Sequence, residues 1–472
     1  MKPMAIRATR GASPKRGKPA SIGPAIAAVI SGLLLSACAT YQPDPLPDSP
    51  DLAASIPELH TTAQELGLPG GQASSFDTSD GLNVIEVATL AVINNPTLKA
   101  DRLKRGVTHA QVFEAGLLPD PELGLNASHP TSGPDSLNGY GLGLSLPLQS
   151  LITRGANQGE ASARAQQVDL QVVWREWQVA EKAKLLFVQA RNDDRLARIY
   201  QTERTLYAGR YGRDRAALAR GDITLGVTAS DLVSLSDAGT RLRKLRQRQY
   251  RSRQKLRALL GLRPGATLKL TGSVDTSLPD KTEVDAAIRA LPGRRPDLIA
   301  LRRGYESQEQ AVRKAILAQF PSLRVGVTRG RDTGGVSTVG IGITLDLPLV
   351  NGNRGRIAVE RATRERLRQE YQARLDAAVA EVDRIRGEAL LLDRQLDTVR
   401  ERIPELRETA RRARESMRSG NLDAGTYISL RGQLLAKRAE RVAVENALAQ
   451  ARIALETLIG RPIGDAGTAV GK

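Results

Sequence analysis

The sequence predicts a mainly α protein with a small β part. Its unit is duplicated, and each copy combines long coiled-coil helices with two strands of bilayer-crossing length. Three observations predict this. A block of about two hundred residues occurs twice in the 472-residue chain. Apolar residues recur at alternating three- and four-residue steps over a very long stretch. Four short segments alternate strictly between apolar and small side chains.

The chain opens with Lys2, Arg7, Arg10, Lys15, Arg16 and Lys18 and no acidic residue before Cys38, the only cysteine. An apolar and small-residue run, Ala20 to Ala37, lies between them. A basic start, a short apolar segment and small residues before a boundary describe a secretory signal over 1–37. Gly23, Pro24, Ser31 and Gly32 interrupt the run, which argues against a retained membrane helix. Leu35-Ser36-Ala37-Cys38 resembles the bacterial lipobox, whose cysteine carries acyl chains such as palmitate. More than one chain gives stable anchoring at roughly 0.8 kcal/mol per buried methylene. An ordinary signal peptide with an incidental cysteine is the competing reading. Removing the signal takes six positive charges from a net charge of +18, leaving +12. Basic and acidic residues are interleaved, as in RATRERLRQE, which describes a solvated helix face rather than a nucleic-acid patch. Only 3% of residues are aromatic, too few for base-stacking platforms.

The repeat fixes the organisation. Asn95-Pro96-Thr97-Leu98-Lys99-Ala100 returns as Arg295-Pro296-Asp297-Leu298-Ile299-Ala300, and Leu146-Pro147-Leu148 as Leu347-Pro348-Leu349. Leu259-Leu260-Gly261 closes the first copy and Leu458-Ile459-Gly460 the second. The boundaries expected are a lipidated segment 38–80, a first repeat 81–263, an equatorial linker 264–282, a second repeat 283–460 and a tail 461–472. Each repeat begins with a helix (97–118; 297–319) opened by proline, which suits a helix start.

Hairpins follow at 122–146 and 322–347. Leu323, Val325 and Val327 lie on one face of a strand against Arg324, Gly326 and Thr328; Val339, Ile341, Ile343, Leu345 and Leu347 oppose Gly340, Gly342, Thr344 and Asp346. The first repeat does the same with Leu123, Leu125 and Ala127, then Tyr140, Leu142, Leu144 and Leu146. A period of two is a strand with unlike faces. The loops fall at 130–138 and 330–337. Apolar-out, polar-in alternation over this length is the pattern of membrane barrels; a soluble sheet with one wet face is the alternative. Four strands cannot close a barrel and open edges are not viable in hydrocarbon. Several chains must therefore share one, and three copies give twelve strands.

Long helices come next, at 156–220 and 355–420. In the second, Tyr371, Leu375, Ala378, Val382, Ile385, Ala389, Leu392, Leu396, Val399, Ile403, Leu406, Ala410, Ala413 and Met417 step by four and three. That is a heptad seam. Pro404 is expected to bend the rod. The return helix continues the seam through Val444, Leu448, Ala451, Leu455 and Leu458.

On these features the chain resembles the outer-membrane efflux factor family, the TolC-like channels: a lipobox, a twofold repeat, Asn95-Pro96-x-Leu98-x-Ala100, the Leu-Pro-Leu pair, Asn353-x-Gly355 and the Leu-Gly ends. The resemblance covers roughly 80–465. It implies a homotrimeric α/β barrel with twelve strands in the outer membrane and a helical tunnel reaching into the periplasm. It implies further a passive conduit of a multicomponent efflux or type I secretion system, docked through a periplasmic adaptor on an inner-membrane pump. A non-conducting envelope-spanning coiled-coil lipoprotein is the alternative function. The segments 264–282 and 461–472, with 39–80, would form a belt around the tunnel.

The turns at the far ends of the rods are the candidate site. Gly221 and Gly420 let the chain reverse. Asp222, Asp231 and Asp423 with Arg213, Arg418 and Tyr427 are expected at the closed tip and adaptor contact. Helix capping is the plainer reading of each acid. Gly226 suggests a longer first turn than the second. No catalytic set, cofactor or metal motif stands out: His60, His109 and His129 are isolated, and no phosphate-binding loop is present.

Overall fold

In the computed structural model the described residues are 41–58, 80–134, 137–272, 275–348 and 350–460. The chain divides into two compact units, Met1–Asp51 and Leu52–Lys472. Of the first, residues 41–51 are irregular backbone without helix or strand. The expectations for the signal, Cys38, His60 and the tail 461–472 lie outside the described residues.

Two short helices open each repeat where one was expected. In the first, α1 (Val84–Asn94) carries a capping box: Asn83 Oδ1 accepts from the amide of Glu86 at 3.0 Å, and Glu86 Oε2 accepts from that of Asn83 at 2.7 Å. Asn95 then ends α1 and caps α2 (Pro96–Gly116), its Oδ1 accepting from the Leu98 amide. After β1 (Glu122–Ser128) and β2 (Gly139–Pro147) come α3 (Gln149–Ala219) and α4 (Leu225–Leu259). The second repeat runs α5 (Lys281–Arg294), α6 (Pro296–Leu317), β3 (Ser322–Arg331), β4 (Ser337–Asp346), α7 (Arg354–Arg418) and α8 (Ala424–Ile459). The first long helix starts at Gln149, seven residues before the expected 156. The second hairpin's loop is shorter than 330–337, because Gly330 and Arg331 continue the ladder opposite Thr338 and Ser337.

The long helices pack lengthwise: α3 against α4, α6 and α8, and α7 against α8 and α6. At 1.5 Å per residue, the 71 residues of α3 span about 107 Å and the 65 of α7 about 98 Å. Such rods share no single core. Small apolar clusters recur along them instead, among them Leu196, Leu245, Ala439 and Val442, then Val399, Ile403, Ala410 and Leu434. The α7 seam is buried at Ala378, Val382, Ile385, Ala389, Leu396, Val399, Ile403, Ala410 and Ala413. The helix runs through Pro404 as one element.

Between clusters the seams are tied by charge. Asp193, almost fully buried, receives Arg248; Arg253 donates to Asp194 at 2.8 Å; Arg195 donates to Glu445 at 2.6 Å; and Asn192 Nδ2 donates to Asn446 Oδ1 at 3.0 Å. These bonds hold α3 to both α4 and α8. The largest core lies about midway along α3, where Phe187 and Leu186 meet Val87 and Leu90 of α1, Leu256 and Leu260, and Leu262, Leu268 and Leu270 of the connection after α4. Leu82 bridges Leu270 there, and Ala53 bridges Leu262.

Each repeat closes on itself at one joint. Asn94 Nδ2 donates to the Leu260 carbonyl at 2.7 Å and Asn95 Nδ2 to that of Leu259 at 2.8 Å. Gly261 adopts φ +65°, and a Cβ on it would stand 2.5 Å from the Asn94 carbonyl oxygen, so only glycine fits. In the second repeat Gly460, at φ +73°, lies beside Arg294 and Arg295. Arg295 is buried, grips Asp297 at 2.7 and 2.8 Å, and stands 5.0 Å over the Trp174 ring. A fold duplicated at 200 residues thus uses the same closure with different chemistry.

The four strands form one antiparallel sheet in chain order, β2 pairing β3 so that the two hairpins are continuous. Leu123, Leu144, Val327 and Ile341 stand in one row across it. Gly124, Gly143, Thr328 and Gly340 stand in the next, on the opposite face. The alternation read from the sequence is therefore in register across all four strands.

Candidate functional site at the helix tips

Both long helices end in the same device. The amide of Asp222 donates to the Ala217 carbonyl at 2.9 Å and that of Gly221 to Leu218 at 3.0 Å; Asn421 donates to Ser416 at 2.9 Å and Gly420 to Met417 at 3.2 Å. These paired six-to-one and five-to-two bonds require a left-handed residue, supplied by Gly221 (φ +82°) and Gly420 (φ +78°). Residues 220–224 connect the first pair and 419–423 the second. The two turns are equal in length, which corrects the longer first turn. Gly226 sits inside the first turn of α4, and Gly425 occupies the matching place in α8.

The turns lie side by side. A Cβ on Gly425 would stand 3.6 Å from Arg210 Nη2, and one on Gly432 only 2.8 Å from the Tyr207 hydroxyl, so α8 passes directly over the end of α3. Asp423 is the N-cap of α8, its Oδ1 accepting from the Thr426 amide at 2.8 Å and its Oδ2 from the Thr426 hydroxyl at 2.5 Å. These bonds hold its carboxyl below the usual range. Asp222 is exposed and paired with Arg220 at 2.8 Å. Arg213 and Arg418 are exposed and make no ion pair among the described residues. Tyr427 is half-buried.

Asp231 behaves differently. It is buried on α4 and lies 2.7 Å from Arg210 Nε, which is also 3.5 Å from Asp214. Burial and the adjoining Asp214 carboxyl raise Asp231 to about 6, against the pull of Arg210. Two acids sharing one arginine, a turn and a half from the reversal, form a small electrostatic latch between α3 and α4. Sequence reasoning found Asp231 but missed Arg210, Asp214 and Tyr207. The i,i+4 spacing of Arg210 and Asp214 was the available signal.

The candidate residues thus share one end of the molecule without forming a common contact. Gly221 and Gly420 shape the turns, Asp423 caps a helix, Asp231 latches two helices, and Arg213, Asp222 and Arg418 face solvent. No group of three or more acidic, histidine or cysteine residues that could hold a metal occurs among the described residues. His109 instead contacts Asp169 at 3.2 Å, and His129 contacts Asn138 at 2.6 Å in the first hairpin loop.

Residues 287–461 match the family model described as outer membrane efflux protein. No curated protein matches the chain in sequence. Solved structures do match in fold. A structure of CusC, described in connection with transmembrane channel formation, is 14% identical with a TM-score of 0.67, covering 88% of this chain and 99% of that one. The outer-membrane channel OprN is 15% identical with a TM-score of 0.68, covering 89% and 98%. The Campylobacter jejuni CmeC outer membrane channel is 16% identical with a TM-score of 0.66, covering 91% and 96%. The second repeat therefore carries an outer membrane efflux protein domain, on a chain whose fold is that of the TolC-like outer-membrane channels.

Proposed function

We propose that three copies of this chain close a twelve-stranded barrel in the outer membrane. The chain is then the passive exit channel of a multicomponent efflux or secretion system. One observation carries the reading: the sheet has an apolar face left uncovered, with Val339 and Ile341 each 78% exposed, and both its edge strands, β1 and β4, lack an outer neighbour among the described residues. Oil on one side and sister strands at the edges satisfy both at once. The opposite face, mostly Gly, Ser and Thr, then lines water. The helices, which leave the sheet at the end away from its hairpin loops, continue the tunnel on the periplasmic side.

Such a duct supplies no energy, so its partners are a periplasmic adaptor and an inner-membrane pump. The helix tips are the docking end, with Arg213, Asp222 and Arg418 as exposed contacts and Gly221, Gly420, Asp423, Asp231 and Tyr427 holding their geometry. Cys38 is the site of lipid attachment after removal of residues 1–37. The segment 264–282 is the equatorial linker; the packing of Leu268 and Leu270 against the midpoint of α3 supports this. Purified protein reconstituted into a planar bilayer tests the central claim. Discrete current steps from a detergent-stable trimer are expected; a monomer, or a trimer that never conducts, favours a non-conducting lipoprotein bridge.

A further inference from the structure

The apolar face of the sheet breaks its own rule at one corner. Arg329 lies in the row Leu125, Leu142, Arg329 and Val339; Arg331 lies in the next row out, Ala127, Tyr140, Arg331 and Ser337. Both point to the side of Val325 and Val327, because strand residues two apart share a face. Both stand at the hairpin-loop end, away from the helices. No carboxylate occupies any strand position on this face. The sheet's acids, Glu122 and Asp346, lie on the other face at the helix end, where Glu122 pairs with Arg324 at 3.2 Å and Asp346 accepts from Ser322 at 2.5 Å. Arg329 is exposed and makes no hydrogen bond or ion pair among the described residues. Arg331 uses its Nε on the Gly335 carbonyl at 3.2 Å, which leaves its terminal nitrogens for another acceptor. Asp332, the adjoining acid among the described residues, turns one oxygen inward, its Oδ1 accepting from the Val336 amide at 2.8 Å.

An unpaired guanidinium beside Leu and Val needs a counter-charge that reaches it from the lipid side. The geometry points to a phosphate-binding site for the head group of an outer-leaflet lipid, held by Arg329 and Arg331 with Tyr140 beside them, once per copy. Guanidinium forks match phosphate oxygens in geometry as well as charge, and a tyrosine suits head-group depth. The acyl chains would lie down the rows Leu144, Val327 and Ile341. The site rests on the barrel reading above, since only there does this face meet lipid.

Native mass spectrometry of the detergent-solubilised trimer tests it, with phosphatidic acid, diacylglycerol and inorganic phosphate as probes. Wild type is expected to retain up to three phosphatidic acids per trimer and no diacylglycerol, with millimolar phosphate failing to displace the lipid. R329Q, which removes no hydrogen bond or ion pair among the described residues, and R329Q/R331Q should lower retention at least five-fold; R324Q, on the opposite face, should not. Equal retention in R329Q/R331Q and wild type, equal binding of diacylglycerol, or displacement by phosphate overturns the site. Bilayer conductance separates the two readings. A conducting wild type whose lipid retention ignores both arginines sinks the phosphate site alone, and a wild type that never conducts sinks both.

Discussion

Glu181 sits between α3 and α8 near the middle of the rods. Its carboxyl is raised to about 7, chiefly by burial, despite a hydrogen bond to Thr457 and the charge of Lys184. An acid whose folded value lies above its unfolded one binds its proton more tightly when folded, so stability falls as pH rises from 4.5 through 7. The full loss at pH 8 is on the order of 3 kcal/mol per copy. E181Q should therefore raise the thermal midpoint at pH 8, leave it nearly unchanged at pH 4.5, and flatten the slope between; scanning fluorimetry across that range checks this. The Leu-Gly joints offer a second comparison. G460A meets only left-handed backbone strain, about 1–2 kcal/mol, since its nearest non-neighbour atoms are 3.8 Å away. G261A adds a collision with the Asn94 carbonyl and should lower the midpoint about twice as much. Equal shifts would mean that the first joint relaxes freely.

At the level of elements, the tip latch and the cap make separable predictions. Asp231, raised to about 6, binds its proton more tightly in the folded chain, so the α3–α4 end is held more tightly below that pH than above it. D231N should abolish this dependence: amide protection factors in 214–232, taken relative to the intrinsic exchange rate at each pH, should no longer fall between pH 5 and 7.5. D423A removes a side-chain cap, so it should lower the thermal midpoint slightly, and its effect should stay within the first turn of α8. The same elements divide what could be read from the sequence. The strands and the α7 seam were legible because their periods are local, and Tyr371, Leu375, Leu392, Leu406 and Met417, which fill the remaining seam positions, are half-buried as a seam's margins should be. The short helices α1 and α5 were not legible. VIEVATLAVIN is apolar on nearly every side, so it shows no amphipathic period, and α5 carries Pro292 within it. The bonds from α3 to α8 join residues some 250 positions apart, which no local spacing announces.

For the whole molecule, the two faces of the sheet should respond oppositely to charge. Ile341→Arg places a guanidinium in the middle of the apolar belt, costing about 2–4 kcal/mol per copy, and should lower the yield of assembled trimer in outer-membrane fractions. Gly342→Arg has open space around its Cβ. It should leave assembly intact while reducing single-channel conductance. If both changes affected assembly alike, the sheet would not be two-faced in its native setting.

The Leu-Gly joints carry one more consequence. Each return helix is fixed by its joint where it ends, so a tilt of α8 shared by the helices packed against it would pivot there, its 36 residues giving an arm of about 54 Å. A rotation of only five degrees at the anchored end sweeps the far end through nearly 5 Å. A tilt of that size set by side chains around Gly460 and Arg295 would displace the opposite extremity by about the width of an ion.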